Sequence, residues 1–476
     1  MRSRYKDAMN HAAHAAAPRT GFVATMAPYL RKRPLAALLL GISSGFPLAL
    51  LLGTMTFWLT KVGIDKKTIG FAVGLTTPYT LKFLWAPFID RIKLPVLTGL
   101  FGQRRAWLFF VMALLFVSVW MLGASDPANG LGAFAFWAIA VSFLGATQDI
   151  VIDAYRIEIL SDEELPHGTA NNQFGYRLGA LAAGVGTIAM ASPEGFNLGF
   201  ARAYGFTAFC IIPGIIAAFW AGPGLHDKVL AREPAMAAGK WLETTIVGPF
   251  REFLRRRGSV LILLFVLIYK LGDAMGQIML NPMILELGFS DTEFLVINKG
   301  VGFWGLIVGT ALAAPFMAWL GMGRALFVSG LLMMLSNGMF AILAAQGHSN
   351  TWLTIAVTTE QVTSGMGLTV FVTYLSGLSN VAYTATQFAL LSSFAAVGRT
   401  WLSSPAGIAA EQFGWVGFWL MTMVVAIPGM LLLWLLWRKG FVVESVRQPK
   451  SEEEHIEAEA ADVEERAGGA GAQPPR

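Results

Sequence analysis

Charged residues and cysteine are both scarce in this sequence. Charged side chains make up 14% of its 476 residues, against about 25% in ordinary soluble domains. A soluble chain of this length divides into about two or three domains and needs polar surface to cover them, which this composition does not supply. The single cysteine, Cys210, excludes a disulfide scaffold and a cysteine-based zinc site.

Apolar residues dominate what is present. They make up 55% of the chain, and the mean hydropathy is +0.57. The net charge of +5 does not point to nucleic acid, because the basic residues form short runs between apolar stretches. A membrane-spanning helix needs about 20 mostly apolar residues. We therefore predict an all-α polytopic membrane protein with twelve spans, at 35–59, 68–89, 106–124, 131–154, 169–191, 201–221, 258–284, 293–319, 323–345, 351–376, 380–408 and 413–437.

The basic loops predict the orientation in the membrane. Most arginines and lysines lie on one side of the predicted topology, in runs such as 31–33, 104–105 and 255–257. Loops rich in these residues face the cytoplasm, so both termini are expected there. Residues 1–30 contain no apolar core followed by a cleavage site, and we expect no cleaved signal peptide.

The chain is predicted to have five parts. Residues 238–256 place Trp241, Ile246 and Phe253 near one helical face, which predicts a helix lying at the membrane surface. Residues 445–476 are acidic and then rich in glycine, alanine and proline, which predicts disorder. The parts are a cytoplasmic N-terminal segment (1–33), a six-helix bundle (34–221), a cytoplasmic linker with the interfacial helix (222–257), a second six-helix bundle (258–437) and an acidic cytoplasmic tail (438–476).

Four short motifs recur in the same order in the two halves. They are Gly41-x-x-x-Gly45 with Gly272-x-x-x-Gly276, Ala86-Pro87-Phe88 with Ala314-Pro315-Phe316, Gln173-Phe174 with Gln387-Phe388, and Ile212-Pro213-Gly214 with Ile427-Pro428-Gly429. Their offsets are 231, 228, 214 and 215 residues. Each motif alone is common in membrane helices, but the shared order predicts a duplication. A parallel repeat with both ends inside resembles the major facilitator superfamily, which implies two six-helix bundles that rock about a central site.

The loop after the second predicted span supports this resemblance. Asp90-Arg91 is followed by Arg104-Arg105. These four residues resemble the Asp-Arg…Gly-Arg-Arg gating motif of the superfamily, with an insertion between its two parts. The resemblance implies that they form a gate at the cytoplasmic side.

Several polar strings inside apolar spans are more specific. They are FLWAPFIDR (83–91), ATQDIVIDAYR (146–156), GYRLG (175–179), YKLGDA (269–274) and ATQFALLSS (385–393). They resemble the AmpG muropeptide permease family over about 34–437. The resemblance implies an inner-membrane importer of N-acetylglucosaminyl-1,6-anhydro-N-acetylmuramic acid and its peptides, driven by the proton motive force. We also expect a monomer without a cofactor. In some bacteria such import feeds β-lactamase induction as well as cell-wall recycling.

Three other interpretations stay open. The acetyl-CoA transporter branch shares the pattern of Gln148, Asp149 and Asp153 in the fourth span, and its substrate also needs a roomy polar cavity. A polytopic membrane enzyme would use Asp149 and Asp153 as an acid cluster. A receptor that does not transport is the third, although the duplicated architecture favours alternating access.

Ionisable residues inside spans are costly and mark candidate functional sites. In the first half these are Lys82, Asp149, Asp153 and Arg177. Asp149 and Asp153 are four residues apart and share a helix face. Arg177 is predicted at a similar depth to Asp149, so we expect these two to pair. The alternative is a buried ion pair that only fixes packing.

The second half has Lys270, Asp273, Lys299, Glu360 and Arg399. Lys270 and Asp273 are three residues apart, so they can pair within one helix. Glutamines nearby suit the hydroxyls and amides of a sugar-peptide. The predicted substrate contacts are Lys82, Gln148, Asp149, Arg177, Lys270, Asp273, Gln277, Gln361 and Gln387.

A proton-coupling carboxyl must lose and regain its proton, so a permanent basic partner is a handicap. Glu360 has no basic residue three or four positions away in its span. We therefore predict Glu360 as the main proton carrier, with Asp273 and then Asp149 as further candidates. Its approach to Lys299 or Arg399 is expected to differ between the two states of the cycle.

Signals of an enzyme are poor. Gly41-Ile42-Ser43-Ser44-Gly45 fits the nucleophile-elbow pattern, but it lies in a predicted helix and does not follow a strand. The six histidines are scattered over termini and loops without metal-ligand spacing. We predict that the protein is not an enzyme and binds no metal.

Overall fold

The computed structural model describes residues 26–65, 68, 74–225, 247–290 and 293–441. These residues form helices joined by short connections, and no strand occurs among them. The helices are α1 Lys32–Lys61, α2 Thr77–Leu81, α3 Ala86–Arg91, α4 Leu97–Phe101, α5 Gln103–Ala124, α6 Leu131–Ile159, α7 Leu165–Ala191, α8 Gly199–Ala221, α9 Gly248–Arg255, α10 Ser259–Glu286, α11 Val296–Leu320, α12 Met322–Gln346, α13 Asn350–Leu378, α14 Thr384–Val397 and α15 Ala406–Arg438.

Nine helices in the described part of the chain are long and apolar enough to cross a membrane on their own. The predicted tenth and eleventh spans pass this test only together. The chain bends by 99° between Asn350–Leu378 and Val381–Val397. At the bend Asn380 is extended, and its side chain accepts a hydrogen bond from the backbone N–H of Ala382. The predicted second span (68–89) consists of the short helices α2 and α3 in its described part.

The predicted boundary between the last two spans is wrong. The sequence predicts a loop between the eleventh and twelfth spans at 409–412, whereas α15 begins at Ala406 and runs to Arg438. Gly414 in this helix has φ 64° and ψ 172°. Such a conformation is easily adopted only by glycine, so the predicted break appears as a kink at Gly414.

The predicted duplication appears in equivalent close approaches of helices. A Cβ at Gly179 of α7 would overlap the carbonyl oxygen of Ile42 in α1, and a Cβ at Gly398 would overlap that of Leu267 in α10. A Cβ at Gly214 would lie 2.8 Å from the Oγ atom of Ser43. Its counterpart at Gly429 would lie 3.2 Å from the Tyr269 backbone. The fifth and sixth spans therefore pack on the first span as the eleventh and twelfth pack on the seventh.

The register of the repeat differs from the motif matches. Gly41 and Gly45 pack on the backbone of α7, whereas Gly272 and Gly276 pack on α15. In the structure, Ile42 of the first span and Leu267 of the seventh span make the equivalent contacts. These two residues are 225 positions apart, whereas the glycine motifs predict 231. Small-residue motifs recur on any helix face that packs closely, so their letters alone do not fix the register.

The linker helix packs on the second half. The predicted interfacial helix covers 238–256, and the structure describes its last part as α9. Phe253 is fully buried there, beside Phe265 of α10. Trp241 and Ile246, the N-terminal residues 1–25 and the tail from residue 442 lie outside the described residues.

The two halves meet along two seams. In one seam α7 packs against α11 and α13, and in the other α3 and α6 pack against α14. Each half also has its own apolar core. The polar residues described next lie between these cores and along the seams.

Candidate functional site

The first-half cluster consists of Ser44, Lys82, Asp149 and Asp153. The Nζ atom of Lys82 donates a short hydrogen bond to Asp149 and lies 3.8 Å from Asp153. Ser44 donates to the other oxygen of Asp149 at 2.7 Å. Lys82 begins a 3₁₀ turn, Lys82–Leu84, at the break between α2 and α3. The two carboxylates project from successive turns of α6, so both reach the same ammonium group.

The predicted pairing of Asp149 with Arg177 is wrong. Asp149 has Lys82 as its partner, and it is Tyr176 that lies close to Asp149 and Lys82. Successive residues on a helix point about 100° apart, since a turn has 3.6 residues. The depth of Arg177 was predicted, but its direction around the helix axis depends on packing.

Asp153 connects the first-half cluster to the second half of the molecule. Its oxygen lies 3.4 Å from a guanidinium nitrogen of the fully buried Arg156. The same nitrogen donates to Ser376 of α13 at 3.2 Å. The Arg156 guanidinium also lies 5.6 Å from the centre of the Phe388 ring in α14. A charge change at Asp153 would thus be felt directly at the contact between the halves.

The second-half cluster consists of Lys270, Asp273, Gln277 and Glu360. The predicted pair of Lys270 and Asp273 is confirmed, with 3.2 Å between Nζ and Oδ2. Gln277 donates to Oε1 of Glu360 at 2.5 Å, and Oε2 of Glu360 has no hydrogen-bond partner in the described part of the chain. Glu360 is 1% exposed. The side chain of Lys299 lies outside the described residues.

The expectation that Glu360 has no fixed partner needs correction. Its partner Gln277 is neutral and comes from α10, one turn beyond Asp273. Lys270 and Asp273 also lie close enough for their charges to act on Glu360. Scanning only the helix of Glu360 missed these residues, because they belong to a neighbouring helix.

Two arginines lie between the clusters. Arg177 is on α7, and Arg399 is in the π-helical segment Gly398–Leu402 that follows α14. They are close enough to repel each other, and neither side chain has an ion pair or a hydrogen bond with any described residue. Arg399 lines a cavity of about 140 Å³ together with Lys270 and Ser392.

Three predicted glutamines make no hydrogen bond to the described residues of either cluster. Gln148 is fully buried, and neither of its amide atoms finds a partner among the described residues. Gln361 packs against Gly302 and Gly305 of α11. Gln387 lies in the first turn of α14, where it donates to Glu252 and accepts from the backbone N–H of Asn380 at 2.8 Å. Gln387 therefore stabilises the end of the bundle.

The predicted gating residues form a buried network. Arg104 donates to Asp90 at 2.6 Å and to Glu158 of α6 at 2.8 Å. Asp90 also caps the start of α14, accepting from Thr386 N at 2.9 Å, Thr386 Oγ1 at 2.5 Å and Ala385 N at 3.2 Å. A carboxylate at a helix N-terminus is stabilised by the free N–H groups there.

Arg91 makes a further link between the halves. It donates to the hydroxyl of Tyr383 at 3.3 Å and lies over that ring. Arg105 is half-buried, and its Nε has no partner in the described part of the chain. We call the end of the molecule that carries Asp90, Arg91, Arg104 and Arg156 the basic end. The two halves are joined at this end.

Sequence reasoning missed several members of these networks. Glu158 was missed because the predicted fourth span ends at 154, whereas α6 continues to Ile159. Ser44 was considered only as part of the nucleophile-elbow pattern, and neither Tyr176 nor Tyr383 was singled out. The charge of Glu158, four residues beyond Ala154 on the same helix, was the available signal for extending that span.

A membrane protein with two helical halves, charged clusters between them and a closed gate at one end has the architecture of an alternating-access transporter. The chain belongs to the Major Facilitator Superfamily, whose family model matches residues 37–403. This confirms the predicted fold class, and a family of transporters agrees with the prediction that the chain is not an enzyme.

Within this superfamily the chain is similar to permeases of one kind. It is 38% identical to the anhydromuropeptide permease of Escherichia coli over 412 residues, which cover 85% of this chain and 80% of the relative. It is 33% identical to "Putative transporter AmpG 4" of Rickettsia conorii, covering 84% of this chain and 95% of the relative. The predicted resemblance to the AmpG family is thereby confirmed.

Solved structures share the fold at low sequence identity. The proton:xylose symporter XylE has a TM-score of 0.62 and 14% identity, covering 88% of this chain and 98% of the symporter. An outward-facing bacterial homologue of ferroportin has a TM-score of 0.63 and 14% identity, covering 86% and 100%.

Proposed function

We propose that this protein imports peptidoglycan turnover products across the bacterial inner membrane. The substrates are N-acetylglucosaminyl-1,6-anhydro-N-acetylmuramic acid and its peptides. The observation that carries the proposal is the 38% identity to an anhydromuropeptide permease over 85% of the chain. The polar clusters support it, because sugars and peptides need hydrogen-bonding groups inside a membrane protein.

The basic end is proposed to face the cytoplasm, together with both termini. Loops rich in arginine and lysine stay on that side. In this orientation the gate of Asp90, Arg91 and Arg104 closes the cytoplasmic side. The substrate then enters from the opposite side and contacts the two clusters, with Lys82, Asp149, Arg177, Lys270, Asp273 and Gln277 as the proposed binding residues.

Import is proposed to be driven by protons, with Glu360 as the main carrier. Glu360 and Asp149 both lie ten residues from a helix end, at Asn350 and Ile159. At 1.5 Å per residue this is about 15 Å, half of a hydrocarbon core of about 30 Å. Oε2 of Glu360 has no partner among the described residues and is free to take up a proton. Asp273 and Asp149 are less suited, because each already has a lysine as its ion-pair partner, Lys270 and Lys82 respectively.

The proposal is tested in proteoliposomes that contain the purified protein as a monomer. An imposed gradient, with the inside alkaline, is expected to drive uptake of labelled N-acetylglucosaminyl-anhydro-N-acetylmuramic acid. Labelled acetyl-CoA is the comparison substrate. Uptake of acetyl-CoA with no movement of the disaccharide would show that the proposed substrate class is wrong.

The same vesicles test the proton carrier. Glu360→Gln is expected to keep exchange of labelled for unlabelled disaccharide but to lose accumulation driven by the pH gradient, because the amide takes up no proton. Glu411→Gln is the control, since Glu411 is an exposed acid near the start of α15. Accumulation by Glu360→Gln at the wild-type level would assign Glu360 to packing, and Asp273→Asn would be measured next.

A further inference from the structure

The charges between the two halves do not balance. Lys82 and Arg156 face Asp149 and Asp153, and Lys270 faces Asp273. The remaining acid, Glu360, is hydrogen-bonded to the neutral Gln277. Arg177 and Arg399 are left without a carboxylate among the described residues. An arginine side chain inside a membrane costs about 2.5 kcal/mol or more on insertion scales. Two of them, close together and unpaired, therefore indicate a place for an anion.

The two arginines occupy matching positions in the two halves. Arg177 lies two residues before Gly179, and Arg399 lies one residue after Gly398. These glycines make the equivalent contacts with Ile42 and Leu267. Relative to these contacts, the positions of the two arginines along their helices differ by less than about one helical turn. The two arginines belong to opposite halves. One anion between them would be bound by both halves at once.

A cavity beside Arg399 leaves room for a negatively charged group. Arg399 lines the cavity of about 140 Å³, whose other polar residues are Lys270 and Ser392. Lys270 is bound to Asp273, so Arg399 supplies the uncompensated charge of this cavity. Tyr176 lies close to Arg399 and to the first-half cluster, so the anion site adjoins the proposed sugar-binding residues.

We propose that Arg177 and Arg399 together bind a carboxylate of the transported substrate. This rests on the proposed function. Every compound in that class carries a carboxylate: the lactyl group supplies it in the free disaccharide, and the peptide supplies it in the longer products. Guanidinium groups bind carboxylates through paired, charge-assisted hydrogen bonds.

Binding of the carboxylate also couples recognition to movement. In its absence the two guanidinium groups repel each other across the halves. A bound carboxylate replaces this repulsion with attraction to both, and so favours a conformation in which the halves approach around the substrate. A ligand shifts such an equilibrium only by its different affinity for the two states, and a bridging anion provides that difference.

The test is equilibrium binding to the purified protein in detergent. The probes are N-acetylglucosaminyl-anhydro-N-acetylmuramic acid and the same disaccharide with its lactyl carboxylate converted to a methylamide. The wild type is expected to bind the acid at least tenfold more tightly than the amide. In Arg177→Gln and in Arg399→Gln, the affinity for the acid is expected to fall at least tenfold. Each variant is then expected to bind the acid and the methylamide equally well.

Two further variants complete the design. Arg202→Gln removes an exposed arginine of α8 and is expected to keep the preference for the acid. Arg399→Lys keeps the charge and is expected to keep part of the preference, which separates charge recognition from a loss of folding.

Equal affinity of the wild type for acid and amide would overturn this inference and leave the proposed function standing. A tenfold preference for the acid over the amide that persists in both Arg177→Gln and Arg399→Gln would also overturn this inference and leave the proposed function standing. If the wild type binds neither disaccharide but binds acetyl-CoA, the proposed function and this inference are both wrong.

Discussion

Lys82 is held by carboxylates inside the membrane, and its pairing with Asp149 is the central contact of the first-half cluster. Breaking a buried ion pair by removing one partner costs more than removing both, because a buried charge is left uncompensated. Lys82→Met and Asp149→Asn are each expected to lower the free energy of unfolding by about 3 kcal/mol. The double variant is expected to lose less than the sum.

Thermal unfolding in detergent measures this double-variant cycle. Asp126→Asn is the control, because Asp126 is at the N-terminus of a 3₁₀ turn between α5 and α6, and its side chain accepts only a local hydrogen bond. Additive losses in the double variant would show that Lys82 and Asp149 do not depend on each other.

At the residue scale, sequence predicted pairs within one helix but not pairs between helices. Lys270 and Asp273 were predicted because their spacing of three residues fixes their directions on α10. The partners of Asp149 and Glu360 come from other helices. Which side of each helix faces its neighbour is decided by packing of the whole bundle, which local spacing does not contain.

Two glycines on α7 allow a comparison of packing within one helix. A Cβ at Gly179 would overlap the backbone of α1, whereas a Cβ at Gly184 would meet nothing within 4 Å. Gly179→Ala is expected to lower the free energy of unfolding by about 1–3 kcal/mol, the usual cost of overpacking. Gly184→Ala is expected to leave the midpoint of thermal unfolding unchanged or raised, because alanine favours helix. Equal losses in the two variants would contradict the close contact between α1 and α7.

Glu293, before α11, connects two loops at the end opposite the basic end. It accepts hydrogen bonds from the backbone of Ser290 at 2.8 Å and from Asn350 at 2.6 Å. These hydrogen bonds lower the pKa of Glu293 from 4.5 to about 2. Because the pKa is lower in the folded protein, the stabilisation is complete above about pH 4.5 and is lost as the pH falls toward 2.

Glu293→Gln is therefore expected to lower the midpoint of thermal unfolding by the same small amount from pH 8 to pH 5. Below pH 4.5 the difference from the wild type is expected to shrink, because the carboxyl becomes protonated. Glu286→Gln, at the end of α10, is the control acid. A difference that grows as the pH falls would contradict the assigned hydrogen bonds.

At the element scale, hydropathy predicted the uniform spans well. Long apolar runs such as α5 and α12 leave no alternative to a membrane helix. The predictions were weaker where a span is interrupted, as at the break before Ala86 and the bend at Asn380. These interruptions depend on local capping and on contacts with the other half, and an averaged hydropathy does not detect them.

The gate joins the halves through Asp90 and the start of α14. Asp90→Asn removes the negative charge from this cap and from Arg104, so the basic end is expected to open more often. A cysteine at Ala389, which is 1% exposed in α14, reports this opening in a Cys210→Ser background. We expect severalfold faster labelling by an impermeant maleimide in inside-out vesicles.

Asp65→Asn provides the matched control for this measurement. Asp65 follows α1 at the end opposite the basic end, and its carboxylate accepts a hydrogen bond from the backbone N–H of Thr68. Its labelling rate is expected to match that of the parent. Unchanged labelling in Asp90→Asn would show that the cap does not keep the gate closed.

At the scale of the whole molecule, the repeat and the family-like strings predicted the superfamily and its two halves. The repeat and these strings did not predict which conformation of the transport cycle the structure shows. One sequence serves both states of the cycle, so the closing of the basic end through Arg91, Arg156 and Asp90 becomes visible only when the two halves are placed together.

The Asp90 network also determines which charges move when the gate opens. Arg104 and Glu158 belong to the same half as Asp90 and keep their bonds to one another when α14 moves away. The three hydrogen bonds from Ala385 and Thr386 to Asp90 separate, and each is replaceable by water at a net cost of about 1.5–3 kcal/mol because the acceptor is charged. Asp90, Arg104 and Glu158 all keep their ion-pair partners, so opening the gate leaves no buried charge uncompensated and can be reversed.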